Sequence, residues 1–114
     1  MRLIFRRQTL LLVLFSITTG SLDAGEAIEG RWAADPHYCG GGTSLLIVYA
    51  AALRWGDAAC AVKRSYRVKD TWHIGASCPV DGAISDVPVR IELRGERLLL
   101  EWASAPPQEL QRCP

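Results

Sequence analysis

The stretch VRIELRGERLLLEW, residues 89–102, decides the fold class because it predicts a β-hairpin whose loop is Gly95 and Glu96. On one face of this hairpin every predicted pair is apolar: Leu93 with Leu98, Ile91 with Leu100 and Val89 with Trp102. On the other face Arg90 pairs with Glu101, and only Leu99 is an apolar residue directed outward. Glycine at the first loop position suits a type II′ turn. The sequence therefore predicts antiparallel β-structure at this point.

A second hairpin is predicted from residues 60–68 and 71–78, where apolar and polar residues again alternate. Pairing Tyr66 with Trp72 also places Val62 opposite Ala76. In this register the inner face of the first strand carries Cys60, Val62, Tyr66 and Val68, with Arg64 as the one residue that does not fit the apolar pattern. The outer face carries Ala61, Lys63, Ser65 and Arg67. His73 is then directed outward, beside the basic residues.

All four cysteines lie downstream of the N-terminal segment, which predicts two disulfides formed in an oxidising compartment. The second hairpin places Cys60 opposite Cys78, and cross-strand partners have Cβ atoms close enough for a disulfide. Cys39 and Cys113 then remain for each other, across the ends of the domain. Four cysteines allow three connectivities, and this nested pattern is the one that the predicted register favours.

Further short strands are predicted at residues 29–33 and 109–112. Residues 44–49 and 53–55 are also predicted to form strands. Because Ala50–Ala52 would be an unusual turn and fits a helix better, a helix is the alternative for this region. Short strands separated by glycine, proline and aspartate are typical of an all-β domain. The predicted fold is a small antiparallel barrel or sandwich with two disulfides, following an N-terminal signal helix.

The N-terminal segment has the features of a secretory signal peptide. Three arginines within residues 1–7 precede an apolar run at residues 10–15, and small or polar residues follow. The apolar run is shorter than the roughly 20 residues of a membrane-spanning helix, so no stable membrane span is expected. Cleavage after Ala24 or Ala27 would leave a single β domain, taken as residues 25–114, that is periplasmic or secreted.

Charge and motifs exclude several functional classes. The formal net charge is +1, and it becomes about −1 when the signal segment and its arginines are removed. This balance gives no electrostatic basis for binding nucleic acid. The cysteine spacings do not match zinc or redox motifs, and Gly40–Gly42 lacks the Lys-Ser or Lys-Thr of a phosphate-binding loop. No catalytic, metal or cofactor residues are identified, and an enzyme is not expected.

The candidate residues for contact with a partner protein lie in proline-containing loops and a basic stripe. Stiff loops lose little entropy on binding, which favours them as binding elements. Loops are expected at residues 35–42, 79–88 and 104–108, and the stripe on the outer face of the second hairpin. The candidates are Asp35, His37, Tyr38, Lys63, Arg67, Pro106 and Pro107. The four tryptophans either fill the core or line a ligand cavity, and a domain of this size favours the core.

Four short motifs resemble a group of small exported bacterial proteins of unassigned function: Gly30–Ala33, Trp72–Cys78, Leu98–Trp102 and Arg112-Cys113. In outline the chain is also similar to exported bacterial β-barrel inhibitors of metalloproteases and lysozyme. This second resemblance implies a non-enzymatic binding module for an extracytoplasmic protein, with a hydrolase as the partner that it would inhibit. The alternative is a barrel that binds a small ligand or has a structural role in the cell envelope.

Overall fold

The computed structural model describes residues 27–114, so the predicted signal segment, residues 1–24, lies outside the described residues. Eight strands form a closed barrel in which each strand pairs antiparallel with the next and β8 returns to β1. The elements in chain order are β1 (Gly30–Ala33), the 3-10 helix η1 (Pro36–Gly40), β2 (Leu45–Val48), β3 (Ala52–Trp55), β4 (Ala58–Val68), β5 (Thr71–Val80), β6 (Ala83–Arg94), β7 (Arg97–Trp102) and β8 (Gln108–Arg112). The predicted all-β fold is confirmed, as a barrel, and residues 44–55 form strands.

The inside of the barrel is filled with apolar side chains. Trp32 and Trp72 are each 1% exposed, and they belong to a cluster of buried apolar residues to which all eight strands contribute. Trp55 and Trp102 are partly buried and pack against the same cluster. The tryptophans thus act as core residues, which leaves the alternative of a tryptophan-lined ligand cavity without support in the described part of the chain.

The β6–β7 hairpin has the predicted register. Leu93, Ile91 and Val89 pair with Leu98, Leu100 and Trp102 in turn. On the outer face Arg90 pairs with Glu101, and their side chains form an ion pair at 3.4 Å. Gly95 has a φ of +62°, the left-handed conformation that the two-residue turn requires.

The predicted β4–β5 register is correct at one end and wrong at the other. Val62 pairs with Ala76 as expected, but a β-bulge at Lys63 shifts the remaining pairs by one residue. Tyr66 therefore pairs with His73, and Trp72 pairs with Arg67. A single extra residue reverses the faces of a strand, because side chains alternate with a period of two.

Exposure and ring contacts reflect this reversal. Tyr66 and Val68, predicted to face inward, are 60% and 52% exposed. Arg67, predicted to face outward, lies on the face of Trp72, with its guanidinium carbon 4.5 Å from the ring centroid. The Tyr66 ring instead stacks on the His73 imidazole outside the barrel, with centroids 4.8 Å apart.

Residues 79–88 do not form the predicted loop. They belong to a long β5–β6 hairpin in which Val80 pairs with Ala83 and Pro79 pairs with Ile84. The turn consists of Asp81 and Gly82, which both have a positive φ. Asp-Gly with two positive φ angles is the favoured two-residue hairpin connection, so the chain turns here without a longer loop.

Both predicted disulfides are present. Cys60 and Cys78 join neighbouring strands with Cα atoms 4.4 Å apart, and Cys39 joins η1 to Cys113 after β8. The backbone N–H of Cys113 also donates to the carbonyl of Arg31, which places the second disulfide against the outer wall of β1. Two disulfides fit an oxidising, extracytoplasmic environment.

Arg112 holds the start of the described chain in place. Its guanidinium lies 4.1 Å from the centroid of the Trp32 ring and donates to the carbonyls of Ala27 and Glu29. The indole N–H of Trp32 donates to the carbonyl of Ile28, whose side chain is 1% exposed. Residues 27–29 are thereby fastened against the barrel beside β8.

The barrel has two distinct ends, because alternate connections of an up-and-down barrel lie together. The hairpin end carries the connections that follow β1, β3, β5 and β7. The terminal end carries the other three connections together with Ile28. The predicted loop at residues 104–108 and the Asp81-Gly82 turn therefore belong to the same end.

The two disulfides should stabilise the barrel unequally because they close loops of different length. Their sequence separations are 74 residues for Cys39–Cys113 and 18 for Cys60–Cys78. Loop-closure entropy predicts a contribution of about 4.5 kcal/mol for the first and about 3 kcal/mol for the second. The measurement is urea unfolding of two variants, each retaining one pair and carrying alanine at the other pair. Comparing each variant oxidised and reduced isolates the cross-link, and equal differences would contradict the prediction.

Replacing Arg112 with alanine should lower the free energy of unfolding by about 1–2 kcal/mol, since two hydrogen bonds and a cation–π contact are lost. Arg112→Lys should recover less than half of this loss, because an ammonium cannot reach both carbonyls and stack on the indole at once. Arg54→Ala is the control, as Arg54 makes one long hydrogen bond, to the carbonyl of Gly56. Urea denaturation followed by tryptophan fluorescence measures all three, and an equal loss in the control would refute the role of Arg112.

Candidate binding site

The outer face of strands β4 to β7 carries a groove built from rows of side chains that cross the strands. One wall of this outer groove is the row Tyr66, His73, Arg90 and Glu101, which are cross-strand neighbours in turn. These residues face outward because they alternate with buried residues such as Trp72 and Ile74 on β5. The groove has a volume of about 810 Å³.

The next row of residues forms the floor of the outer groove, and this floor is low because its residues have small side chains or none. Gly75 pairs with Pro88, and Ala103 lies beyond them with its N–H donating to the carbonyl of Pro88. Arg64 pairs with Gly75 from the other side and closes the groove at β4. Its side chain lies across the glycine, since a Cβ built at Gly75 would be 3.0 Å from Arg64 Nε.

Charge is distributed unevenly along the outer groove. At the β4 end Lys63 and Arg64 have no ion-pair partner among residues 27–114. At the β6–β7 end Asp86 lines the groove and is likewise unpaired within that range, while Glu101 is bound to Arg90. The groove is therefore positive at one end and has its acidic groups at the other.

A second prominent feature is the projecting hairpin, residues 79–84, at the hairpin end of the barrel. The β4–β5 ladder starts at Ser77, and the β6–β7 ladder starts at Val89, so neither flanking strand pairs with residues 79–84. Val80 is 43% exposed and Ile84 is 72% exposed. The Cys60–Cys78 disulfide lies directly at the base of this hairpin and anchors it to β4.

One edge of β6 is open next to the projecting hairpin. The carbonyl of Pro88 points towards β7, where it accepts from Ala103. Backbone groups of alternate residues point to the same side of a strand, so those of Asp86 and Ile84 point the same way. No described strand pairs with them there. An open edge of this kind can pair with an extended segment of another protein.

The candidate residues from the sequence do not form one surface. Asp35 caps η1 by accepting from the backbone N–H of His37, and the neighbouring Tyr38 is 47% exposed. Pro106 and Pro107 lie in the exposed connection between β7 and β8. These loop residues belong to connections of the hairpin end, although the disulfide at Cys39 ties η1 to the segment after β8.

The predicted basic stripe is divided by the bulge. Lys63 is the bulged residue and lines the outer groove. Arg67 lies on Trp72, and its Nε donates to the carbonyl of Lys69. His73, expected beside the basic residues, is stacked on Tyr66 instead.

Neither the outer groove nor the projecting hairpin was predicted from the sequence. The hairpin had a usable signal, because Asp81-Gly82 between Val80 and Ala83 is a strong type I′ turn sequence. The groove had none within a single strand, since its residues come from four strands and meet only through the register of three ladders.

Other features of the described residues show no further chemical centre. No group of three or more histidine, cysteine or acidic residues in residues 27–114 is placed to hold a metal ion. The same range contains no helix that is long and apolar enough to cross a membrane. A hydrogen bond from Arg97 to Glu109, together with the negative charge of Glu109, raises the pKa of Arg97, and this exposed pair lies outside the groove.

No protein-family model matches the chain, and searches of curated proteins and of solved structures found no match. The resemblance to exported β-barrel inhibitors therefore stays a prediction. Any proposal about function must therefore come from the surface of the barrel itself.

Gly75→Ala should change the outer groove while leaving the barrel intact. The new Cβ would displace the flexible Arg64 side chain, and alanine is not disfavoured at a strand position, so we expect a stability change below about 1 kcal/mol. Gly95→Ala is the matched control and should lose about 1 kcal/mol or more, because Gly95 has a φ of +62°. Urea denaturation gives both stabilities, and the NMR signal of Arg64 Nε–H reports its displacement. A larger loss for Gly75→Ala than for the control would contradict this view of the groove floor.

Proposed function

We propose that the protein is an exported, non-enzymatic binding module that recognises a protein partner in the periplasm or outside the cell. The observation that carries this proposal is the projecting hairpin, which extends past both neighbouring strands and exposes Val80 and Ile84. Exposed aliphatic side chains at such a tip have no role in the core. They are suited to burial against another protein.

The hairpin is rigid in the way that a binding element needs to be. A disulfide braces its base, Pro79 restricts one strand, and ten consecutive β5–β6 pairs hold the two strands together. A preorganised element loses little conformational entropy on binding, so more of the contact energy appears as affinity. The open edge at Ile84 and Asp86 offers backbone hydrogen bonds in addition to the apolar contact.

An extracytoplasmic hydrolase is the partner class that fits this shape. A narrow projecting hairpin is complementary to a concave surface, and an active-site cleft is the concave surface that a hydrolase presents. Binding there would block substrate access without any chemistry by the barrel. The hairpin carries only one charged residue, Asp81, so contact would be mainly apolar with polar groups at the rim.

The test is inhibition of a panel of lysozymes, metalloproteases and serine proteases by the oxidised protein. We expect stoichiometric inhibition of at least one enzyme, weakened by at least about 100-fold in Val80→Asp and in Ile84→Asp, because a buried unpaired carboxylate costs several kcal/mol. Tyr49→Asp is the control, as Tyr49 is 52% exposed and follows β2 at the opposite end of the barrel.

Unfolding midpoints of the three variants should match that of the unchanged protein, since all three positions are exposed. A partner that binds the hairpin variants and the unchanged protein equally well would refute the role of the hairpin. If the protein binds a partner that is not a hydrolase, and this binding depends on Ile84, the binding function is supported and the inhibition of a hydrolase is contradicted.

A further inference from the structure

The outer groove is separate from the projecting hairpin, and its charges define a different kind of ligand. Among the described residues, Lys63 and Arg64 are cations without an ion-pair partner at one end of the groove, and Asp86 is a carboxylate without one towards the other. A ligand that satisfies both ends must carry a negative group and a positive group a fixed distance apart. A purely anionic or purely neutral ligand would leave one end of the groove unpaired.

The strand spacing sets that distance. The Arg64 side chain lies across Gly75 on β5. Asp86 is on the neighbouring strand β6, two residues away from Pro88, the partner of Gly75. One interstrand spacing of about 4.8 Å and two residues of strand, about 7 Å, therefore place the two charges about 8 Å apart. An extended peptide spans about 3.3–3.6 Å per residue, so a chain of two or three residues has its charged termini about 7–10 Å apart. The groove is long enough for such a peptide, because it crosses four strands, β4 to β7, which extend over about 14 Å.

We propose that the outer groove binds short zwitterionic peptides of about three residues. The C-terminal carboxylate lies against Arg64 and Lys63, and the N-terminal ammonium lies against Asp86. Guanidinium and carboxylate form strong charge-assisted hydrogen bonds, which makes the C-terminus the principal anchor.

The floor and the wall fit a peptide backbone. Gly75, Pro88 and Ala103 form a low floor that lets an extended chain approach the sheet closely. Along the wall, the stacked pair Tyr66 and His73 presents aromatic surface to peptide side chains. Glu101 stays bound to Arg90, so this ion pair is balanced in charge and leaves Asp86 as the group with which the ammonium pairs.

The experiment is an NMR titration of the oxidised, ¹⁵N-labelled protein with trialanine in three forms. These are the peptide with free ends, its C-terminal amide and its N-acetyl derivative. We expect the free peptide to shift the amide signals of groove residues such as Gly75 and His73. Amidation should weaken binding by at least about tenfold and acetylation by several-fold, since each removes one charge.

Charge-removing variants assign the two ends. In Arg64→Gln the preference for the free peptide over the amide should fall by at least several-fold, because only Lys63 remains at that end, and in Asp86→Asn the free and acetylated peptides should bind with equal affinity. Lys69→Gln and Glu96→Gln remove charges from turns at the opposite end of the barrel and should change neither preference. All four positions are exposed, and dispersed NMR spectra verify that each variant is folded.

Three results would overturn the proposal. One is equal binding of all three peptides, and another is a shift pattern outside the groove. The third is binding of the neutral trisaccharide maltotriose in the groove when trialanine does not bind, which would make the groove a saccharide site. Because none of these readouts involves residues 79–84, the hairpin function and the peptide site can fail independently.

Discussion

Closure of the barrel between β1 and β8 is the constraint on which the rest of the structure depends. The ladder there has two registered pairs, Trp32 with Arg112 and Ala33 with Gln111, whereas the β5–β6 ladder has ten. Short pairing is weak, so other interactions reinforce it. The Arg112 guanidinium fastens residues 27–29, and the Cys39–Cys113 disulfide ties the connection after β1 to the segment after β8. Without closure, two strand edges would be exposed and the core would open to water.

The long strands β4, β5 and β6 have a different role from the short ones. Strands β1, β2 and β3 have four residues each, which is enough to enclose the core, while β4 to β6 have ten to twelve. The extra length produces the projecting hairpin at one end and widens the outer face on which the groove lies. The bulge at Lys63 then decides which side chains of β4 reach that face. The projecting hairpin thus arises from β-structure beyond the core, whereas the groove lies on the outer face of strand segments whose inner face forms the core.

The β6–β7 hairpin was predictable because its evidence is local: strict alternation on both strands and a glycine at the turn. The Cys60–Cys78 disulfide followed from the alternation of the β4–β5 hairpin, since both cysteines precede the bulge in register and its shift does not reach them. Cys39 and Cys113 were then the remaining pair. The faces of residues 64–68 were predicted wrongly: Arg64, a charged residue on the predicted inner face, was a sign of an irregularity, but it does not identify Lys63 as the extra residue. The Asp81-Gly82 turn could have been predicted, but Pro79 and Pro88 were taken as signs of a loop. Pro88 is compatible with a strand because it lies where no backbone N–H is needed for pairing.

The order of the cysteines along the chain also determines the order in which the barrel can be completed. Cys60 and Cys78 belong to adjacent strands, so they can pair as soon as β4 and β5 have emerged. Cys113 follows all eight strands, so its bond to Cys39 cannot form until the whole barrel sequence is present. A protein that crosses a membrane from its N-terminus would therefore arrive with Cys39 unpaired for most of its passage. During that interval the Cys39 thiol is exposed to exchange with Cys60 or Cys78, and correct pairing depends on early formation of the β4–β5 hairpin.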